Sequence, residues 1–308
     1  MSLATTAFHQ ITIMFFIILI GIFCYRIRLI DPNTNRKLSD IVLMLVNPFV
    51  IIISYQREFD TTLLTGLLIS LIMAIVTHIF GIVISKVIIR GNKHSADLII
   101  ERFSVIYSNC GFIGIPMAGG LFGSEGVFYI TAYMTIFNLL VWTHGVIMMT
   151  GKANVKSVGK ALLSPSVVAT VVGFLLFVTR LILPGILTDT MTYIGNMNTP
   201  LAMLVAGVTI AQTDIRKLWT KLRIYYISVV KLLLIPITML LIFRLFELPN
   251  VVLLTSVLAA ACPTAVTVNL FSLRYDKNYL YASEIFAVST ISSMITIPFV
   301  MYVANLIG

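Results

Sequence analysis

Apolar residues run along this chain in long stretches that short polar segments separate. An α-helix needs roughly 20 apolar residues to cross a hydrocarbon core of about 30 Å, so the stretches predict membrane-spanning helices. We expect an all-α polytopic membrane protein with ten transmembrane helices. The stretches that define helices 1 to 10 in order cover residues 8–24, 40–56, 61–89, 98–121, 125–149, 161–183, 190–212, 222–246, 250–272 and 279–306.

Composition supports lipid as the solvent of this surface. Hydrophobic residues make up 59% of the chain and charged residues only 11%, whereas a soluble domain carries roughly 25% charged residues. The polar segments are too short to form a separate soluble domain. The net charge of +9 does not indicate nucleic acid, because the basic residues cluster between the apolar stretches.

The distribution of basic residues predicts the orientation. Most of the 21 Lys and Arg residues follow helices 1, 3, 5, 7 and 9, whereas the alternate loops hold only Arg57, Arg180 and Arg244. Basic loops stay in the cytoplasm, so we expect a multi-pass protein of the plasma (inner) membrane with both termini outside. The first stretch has Arg26 and Arg28 after it and no basic residue before it, which predicts a retained helix rather than a cleaved signal.

Asparagine and proline mark the second and fourth helices of each half. Asn47-Pro48 and Asn198-Thr199-Pro200 lie in helices 2 and 7, the segment from Asn109 to Pro116 lies in helix 4, and Cys262-Pro263 lies in helix 9. Two sets of five helices give a 5+5 inverted repeat, with residues 1–160 as the first unit and 161–308 as the second. The alternative is chance, since Pro and Gly are common in membrane helices.

The proline and glycine segments of helices 4 and 9 predict breaks at the middle of the membrane. Proline removes a backbone donor, and Gly111 and Gly114 add backbone freedom next to Pro116. Each break would present a half-helix N-terminus, whose partial positive charge and free N–H groups suit a carboxylate. The alternative is a pair of ordinary proline kinks in continuous helices.

The charged residues that are predicted to lie inside the membrane favour an anionic substrate. Lys231 is the one basic residue well inside a helix, and we expect either a direct role near the substrate or a structural role with backbone carbonyls, Glu101 or Glu284. The acidic residues all lie in loops or near helix ends, which disfavours a cation pump. His78 and His144 are expected to be hydrogen-bonded interior groups.

These motifs together resemble the auxin efflux carrier family. The resemblance rests on Asn109 to Pro116 with Phe122-Gly123, on Cys262-Pro263-Thr264-Ala265, and on Ser289-Thr290 with Pro298 in the last helix. It implies a bacterial malate- or malonate-permease-like member of the bile acid/auxin transporter superfamily, because the loop after helix 5 is short. It implies a scaffold of helices 1, 2, 6 and 7, often dimeric, and an elevator-type transport domain of helices 3–5 and 8–10.

The resemblance also implies that Asn109 contacts a substrate carboxylate and that Pro116 and Pro263 are the crossover prolines. Helix 3 departs from the plant members, because it has His78 and no acid at mid-helix, so a proton-coupling site does not carry over.

We therefore predict a secondary active or facilitative transporter of a small carboxylate, such as malate, malonate or an auxin-like monocarboxylate, that forms a homodimer. The predicted substrate-binding residues are Asn109, Gly111, Gly114, Pro116, Lys231, Pro263, Thr264 and Asn269. No metal or other cofactor is expected, because Cys24, Cys110 and Cys262 lack metal-site spacing.

One other class remains open from the sequence, a membrane sensor or lipid-binding receptor on the same scaffold. Sodium coupling is an open variant of the transporter. An intramembrane enzyme is disfavoured, because the chain has no Gly-x-Ser-x-Gly elbow and no metal-spaced histidine pair.

Overall fold

The computed structural model describes residues 3–91, 95–152, 159, 162–213 and 220–307. Within these ranges the regular structure is helical, which confirms the all-α prediction, and one isolated β-bridge joins Ser108 to Thr264. The expected repeat boundary at residues 160 and 161 lies outside the described residues, as do the loop cations Lys93, Lys156, Lys160, Arg216 and Lys217.

The described part of the first half of the chain forms seven helices. They are α1 (Leu3–Arg26), α2 (Pro32–Ile41), α3 (Asn47–Ser54), α4 (Thr61–Ile88), α5 (Ala96–Ile106), α6 (Ile115–Leu140) and α7 (Val146–Thr150). Three π-helical turns complete this half: Val42–Val46 joins α2 to α3, Cys110–Gly114 precedes α6, and Val141–Gly145 joins α6 to α7.

The second half of the described chain forms eight helices. They are α8 (Pro165–Val178), α9 (Gly185–Gly195), α10 (Asn198–Ala211), α11 (Leu222–Val229), α12 (Ile235–Phe243), α13 (Asn250–Ala261), α14 (Thr267–Arg274) and α15 (Tyr279–Ile307). A π-helical turn at Val230–Leu234 joins α11 to α12.

Among the residues that the structure describes, seven continuous helical stretches are long and apolar enough to cross a membrane. They cover Thr5–Arg26, Pro32–Ser54, Thr61–Ile88, Cys110–Thr150, Gly185–Ala211, Leu222–Phe243 and Tyr279–Ile307, and the shorter Pro165–Val178 and Asn250–Ala261 are also apolar. Large apolar side chains on their outer faces are exposed, among them Phe16, Ile72, Leu175 and Ile295. Such a surface fits lipid and does not fit water.

The stretch Cys110–Thr150 changes direction at Gly123. Its 41 residues would extend roughly 60 Å as a straight helix, about twice the hydrocarbon thickness. Gly123 has φ +62°, a left-handed value that no other residue type adopts as readily, so the helix direction turns there.

Short polar segments start the helices next to the membrane. Asp60 caps α4, because its Oδ1 accepts a hydrogen bond from the backbone N–H of Thr62 at 2.8 Å. That bond lowers the pKa of the Asp60 carboxyl below its ordinary value, so the cap stays ionised at neutral pH. Asp31 caps α2 in the same way through Thr34, and Pro32 takes the first helical position.

The helices pack in two groups that share an interface. In the first, α1 lies on α10, α10 also contacts α2, and α3 lies between α8 and α9. In the second, α6 packs on α4 and α13, and α15 packs on α11, α13 and α14. The groups meet where α1 contacts α6 and α15 and where α3 and α8 contact α6.

Two glycines permit the closest helix contact in the first group. Gly21 of α1 faces Gly207 of α10, and a Cβ added at Gly21 would lie 2.5 Å from the carbonyl oxygen of Leu204. The backbones therefore touch without intervening side chains, the arrangement that small residues allow in membrane helices.

We expect Gly21→Ala to lower stability by about 1–3 kcal/mol, because the added methyl group has no space between the two helix backbones. The thermal midpoint of the detergent-purified protein measures the loss. Gly185→Ala is the matched control, since nothing lies within 4 Å of a Cβ added there. Equal midpoints for both variants would contradict the packing of α1 on α10.

Candidate functional site

Two interruptions of the helical chain meet inside the protein. The first covers residues 107–109, between α5 and the turn before α6, and the second covers residues 262–266, between α13 and α14. We call these two segments together the crossover. The N–H of Asn109 donates to the carbonyl of Pro263 at 2.7 Å, and the N–H of Ala265 donates to the carbonyl of Tyr107 at 3.0 Å. Each interruption thus supplies hydrogen-bond partners to the other, where lipid could supply none.

Proline causes the second interruption directly. The residue before a proline avoids helical dihedral angles, and Cys262 has φ −58° and ψ +146°, so α13 ends at Ala261. Thr264 is then held by both of its polar groups: its N–H donates to Ser289 Oγ at 3.3 Å, and its hydroxyl donates to the carbonyl of Ser104 at 3.2 Å.

The first interruption lies nearer the N-terminus than the proline predicts. Pro116 takes the second position of α6, where a missing N–H leaves no hydrogen bond unmade, so it starts a helix and breaks none. Gly111 and Gly114 lie in the π-helical turn Cys110–Gly114. A Cβ added at Gly114 would lie 2.8 Å from the side chain of Ile130, so this glycine permits close packing against α6.

Lys231 connects both interruptions from the π-helical turn at Val230–Leu234. Its side chain is fully buried, and its Nζ donates to Ser108 Oγ and, at 3.3 Å, to the carbonyl of Ala260. Of the partners left open by the sequence, the structure therefore shows a backbone carbonyl, and it adds Ser108, which the sequence did not predict. A buried ammonium group next to the crossover makes the local electrostatic potential positive.

The two acids considered as partners of Lys231 pair elsewhere. Glu101 accepts from Arg223 Nε at 3.0 Å and Nη2 at 2.7 Å, and also from the Tyr281 hydroxyl at 2.8 Å. Glu284 accepts from Lys221 Nζ at 2.6 Å. These ion pairs join α5, α11 and α15 near one end of those helices, away from the crossover.

The two intramembrane histidines are hydrogen-bonded, as expected. His78 Nδ1 lies 2.8 Å from the carbonyl of Ala74, one helical turn earlier, and its ring stands 4.9 Å from the ring of Tyr133. His144 Nδ1 lies 2.9 Å from the hydroxyl of Tyr107. Neither contact involves an acid, so neither forms a carboxylate–histidine proton relay.

A small cavity of about 40 Å³ opens beside the crossover, at the interface between the two helix groups. One water molecule needs roughly 10–15 Å³ of such space, so the cavity has room for a few waters or for a carboxylate group. Its polar lining residues are Asn47, Ser108, Asn109, Asn138, Ser166 and Thr267, and Gly111 and Ala265 contribute backbone. None of the described residues lining it is acidic.

Two amide groups beside this cavity have donors without partners. Asn198 Nδ2 donates to Asn47 Oδ1, and Asn47 Nδ2 then has no partner among the described residues. Asn109 Nδ2 is also buried and without a partner within the same ranges. An unsatisfied buried donor costs about 1–3 kcal/mol, so the cavity favours a guest that brings hydrogen-bond acceptors.

The structure brings together only some of the residues predicted for the site. Asn109 and Gly111 line the cavity, whereas Pro263, Thr264 and Lys231 build the crossover behind it. Asn269 lies on α14, 4% exposed, with neither amide atom paired in the described part of the chain.

Sequence reasoning missed Asn47, Ser108, Ser166 and Thr267 as lining residues. The Asn-Pro pattern shared by helices 2 and 7 was the one available signal for Asn47.

Comparison with known proteins gives a match along the chain. The family model described as "Membrane transport protein" matches residues 6–159 and 152–301. The "Uncharacterized transporter YfdV" of Escherichia coli (strain K12) is 25% identical over 308 residues, covering 95% of this chain and 96% of the relative. An "Uncharacterized transporter" of Methanothermobacter thermautotrophicus is 24% identical over 192 residues, covering 62% of this chain and 63% of the relative.

We expect Ser108→Ala to loosen the crossover, because Lys231 would lose one of its two acceptors while remaining buried. Hydrogen–deuterium exchange at the amides of residues 262–266 should become about tenfold faster, the effect of roughly 1.4 kcal/mol. Ser283→Ala is the matched control, since this buried serine has a hydroxyl without a partner in the described ranges. Unchanged exchange in Ser108→Ala would show that the lysine does not support the crossover.

Proposed function

This chain belongs to the membrane transport protein family, which confirms the resemblance to auxin efflux carriers, and on that premise we propose that it is a secondary transporter of a small organic anion. The proposed substrate is a carboxylate such as malate, malonate or an auxin-like monocarboxylate. One observation carries the proposal: at the crossover, a cavity presents amide donors without partners and no acidic side chain in its described lining.

The chemistry of the cavity suits a carboxylate. Two helical segments begin next to it, at Cys110 and at Thr267, and Gly111 and Thr267 in their first turns contribute to its lining. Helix N-termini carry partial positive charge, which favours an anion over a cation. Asn109 Nδ2 would donate to one carboxylate oxygen and Asn47 Nδ2 to another acceptor of the same substrate. Lys231, which donates to the cavity-lining Ser108, would add its positive electrostatic potential.

The topology that we propose has ten membrane crossings in a 5+5 inverted repeat, with both termini outside. The direction change at Gly123 would divide Cys110–Thr150 between crossings 4 and 5. Each pair α5/α6 and α13/α14 would form one crossing broken at the crossover, and the shorter α8 would complete the set. Residues 1–160 and 161–308 would then be the two repeats.

We propose that the two helix groups move relative to each other during transport. Helices α1–α3 and α8–α10 would form the scaffold and pair with a second copy in a homodimer, and α4–α7 with α11–α15 would form the moving domain. The cavity lies between these groups, since Asn47 and Ser166 come from the first and Asn109 and Asn138 from the second. A volume of about 40 Å³ is smaller than typical ligand pockets, which start near 300 Å³, so substrate entry requires the groups to separate.

Asn109→Ala should abolish uptake of the cognate acid and leave folding intact, because it removes the side-chain amide donor of a cavity-lining residue, and this donor has no hydrogen-bond partner in the described ranges. Uptake or counterflow of labelled mono- and dicarboxylates into proteoliposomes measures this, with and without sodium. Asn109→Asp should abolish uptake as well, through repulsion of the anion.

Asn196→Ala is the control, because this asparagine lies exposed at the end of α9. Full transport by well-folded Asn109→Ala would refute the assignment of the cavity.

Cross-linking residue 135 to residue 170 should stop transport. Thr135 of α6 and Thr170 of α8 have their hydroxyl oxygens 3.3 Å apart, so cysteines at both positions can share one mercury ion and join the two helix groups. The background replaces the native Cys24, Cys110 and Cys262 with alanine. Transport should return when excess thiol removes the mercury.

The control pair lies within the proposed moving domain. Ser70 of α4 and Ser256 of α13 have their hydroxyl oxygens 3.5 Å apart, so cysteines there should cross-link without loss of transport. Continued transport by the fully cross-linked 135–170 pair would exclude movement between the groups.

A further inference from the structure

A second, larger cavity lies outside the crossover, where α4 ends, α5 begins and α7 follows its π-helical turn. It encloses about 250 Å³ and is lined by Lys86, Arg102 and His144 with the apolar residues Ile82, Leu98 and Ile106 among others. None of the described residues lining it is acidic. Two charged groups, those of Lys86 and Arg102, converge on this cavity without an acid in its described lining, and they favour an anionic ligand.

The basic residues of this cavity lie close to the ends of their helices, at the depth where lipid headgroups lie. Lys86 stands two residues before the end of α4, and His144 stands six residues before the end of α7. With a rise of 1.5 Å per residue, the basic lining residues lie between the helix ends and roughly 9 Å inside them. A phosphate bound there would sit at the level where the phosphates of the surrounding bilayer sit.

Exposed apolar residues adjoin the lining of the cavity along α4 and α7. Val83 and Val87 on α4 and Ile147 on α7, next to the lining residues in sequence, are each 42–52% exposed. Acyl chains can lie on these side chains while a headgroup occupies the cavity. A free phosphate ion would gain nothing from this apolar border, so the geometry favours a lipid over a dissolved anion.

The basic groups are held in place on their inner side. Arg102 donates from Nε at 3.2 Å and Nη2 at 3.0 Å to the carbonyl of Ile89, which fixes the guanidinium plane at the cavity wall. His144 Nδ1 is fixed by the Tyr107 hydroxyl, which also donates to the carbonyl of Leu140 at 3.0 Å. The recognition groups are therefore preorganised, which lowers the entropy cost of binding.

We infer that this cavity binds the phosphate headgroup of an anionic phospholipid, such as phosphatidylglycerol, with Lys86 and Arg102 as its charged contacts. The site connects to the crossover, because His144 contacts Tyr107 and the carbonyl of Tyr107 accepts from Ala265. An effect of the lipid on transport would rest on the proposed function, whereas binding itself does not.

Spin-labelled phosphatidylglycerol in phosphatidylcholine vesicles that contain the purified full chain tests the site. The immobilised fraction of the label measures the preference for phosphatidylglycerol over labelled phosphatidylcholine. We expect a clear preference in the wild type, a roughly fivefold loss of it in Lys86→Gln, and its retention in Lys86→Arg. Lys86 is exposed, so these variants should fold.

Arg26→Gln is the matched control, since it removes one positive charge at the end of α1, where the adjoining cavity also contains Asp31. An equal loss in Arg26→Gln and Lys86→Gln would overturn the proposal, because it would indicate general attraction to a charged surface. Displacement of the labelled lipid by millimolar inorganic phosphate would overturn it too, since the site would then serve a dissolved anion. Because this measurement needs no transport, its failure is distinguishable from failure of the proposed function.

Discussion

Backbone pairing between two broken helices is the interaction on which the rest of this structure depends. A helix that stops inside a membrane exposes N–H and C=O groups that lipid cannot satisfy, at a cost of several kcal/mol each. Here the N–H of Asn109 meets the carbonyl of Pro263, and the N–H of Ala265 meets the carbonyl of Tyr107. Each broken helix is thus stable only when it lies beside the other. The four helices that flank the two interruptions, α5, α6, α13 and α14, must therefore pack together.

The same constraint explains where the charges lie. The two buried acids in the described part of the chain, Glu101 and Glu284, are paired at short range with Arg223 and Lys221, which avoids a lone buried carboxylate. Lys231 instead directs two of its three ammonium donors to a serine and a carbonyl, neither of which cancels its charge. The potential near the crossover is therefore positive, which supports the proposal of an anionic substrate.

Elements that depend on local sequence could be predicted, and contacts between distant segments could not. The apolar stretches at 61–89 and 279–306 correspond closely to α4 (Thr61–Ile88) and α15 (Tyr279–Ile307), because burial in lipid follows directly from hydropathy. The second interruption could be predicted from Pro263, because a proline disfavours helical dihedral angles at the residue before it. The first interruption contains no proline or glycine between Tyr107 and Asn109, and it persists through its pairing with the second. For the same reason, the approach of Asn47 to Gly111 and the choice of partners by Lys231 required the folded structure.

A transport site must also release its substrate, and the arrangement around Lys231 bears on that requirement. A direct ion pair at 4 Å is worth about 4 kcal/mol at an effective dielectric constant of about 20, and twice the separation halves this energy. Ser108 stands between the ammonium group and the cavity, so Lys231 attracts an anion without closing an ion pair on it. The direct contacts would then come from neutral amides, whose hydrogen bonds contribute about 0.5–1.5 kcal/mol each. A site of this kind combines selectivity for negative charge with an affinity low enough for turnover.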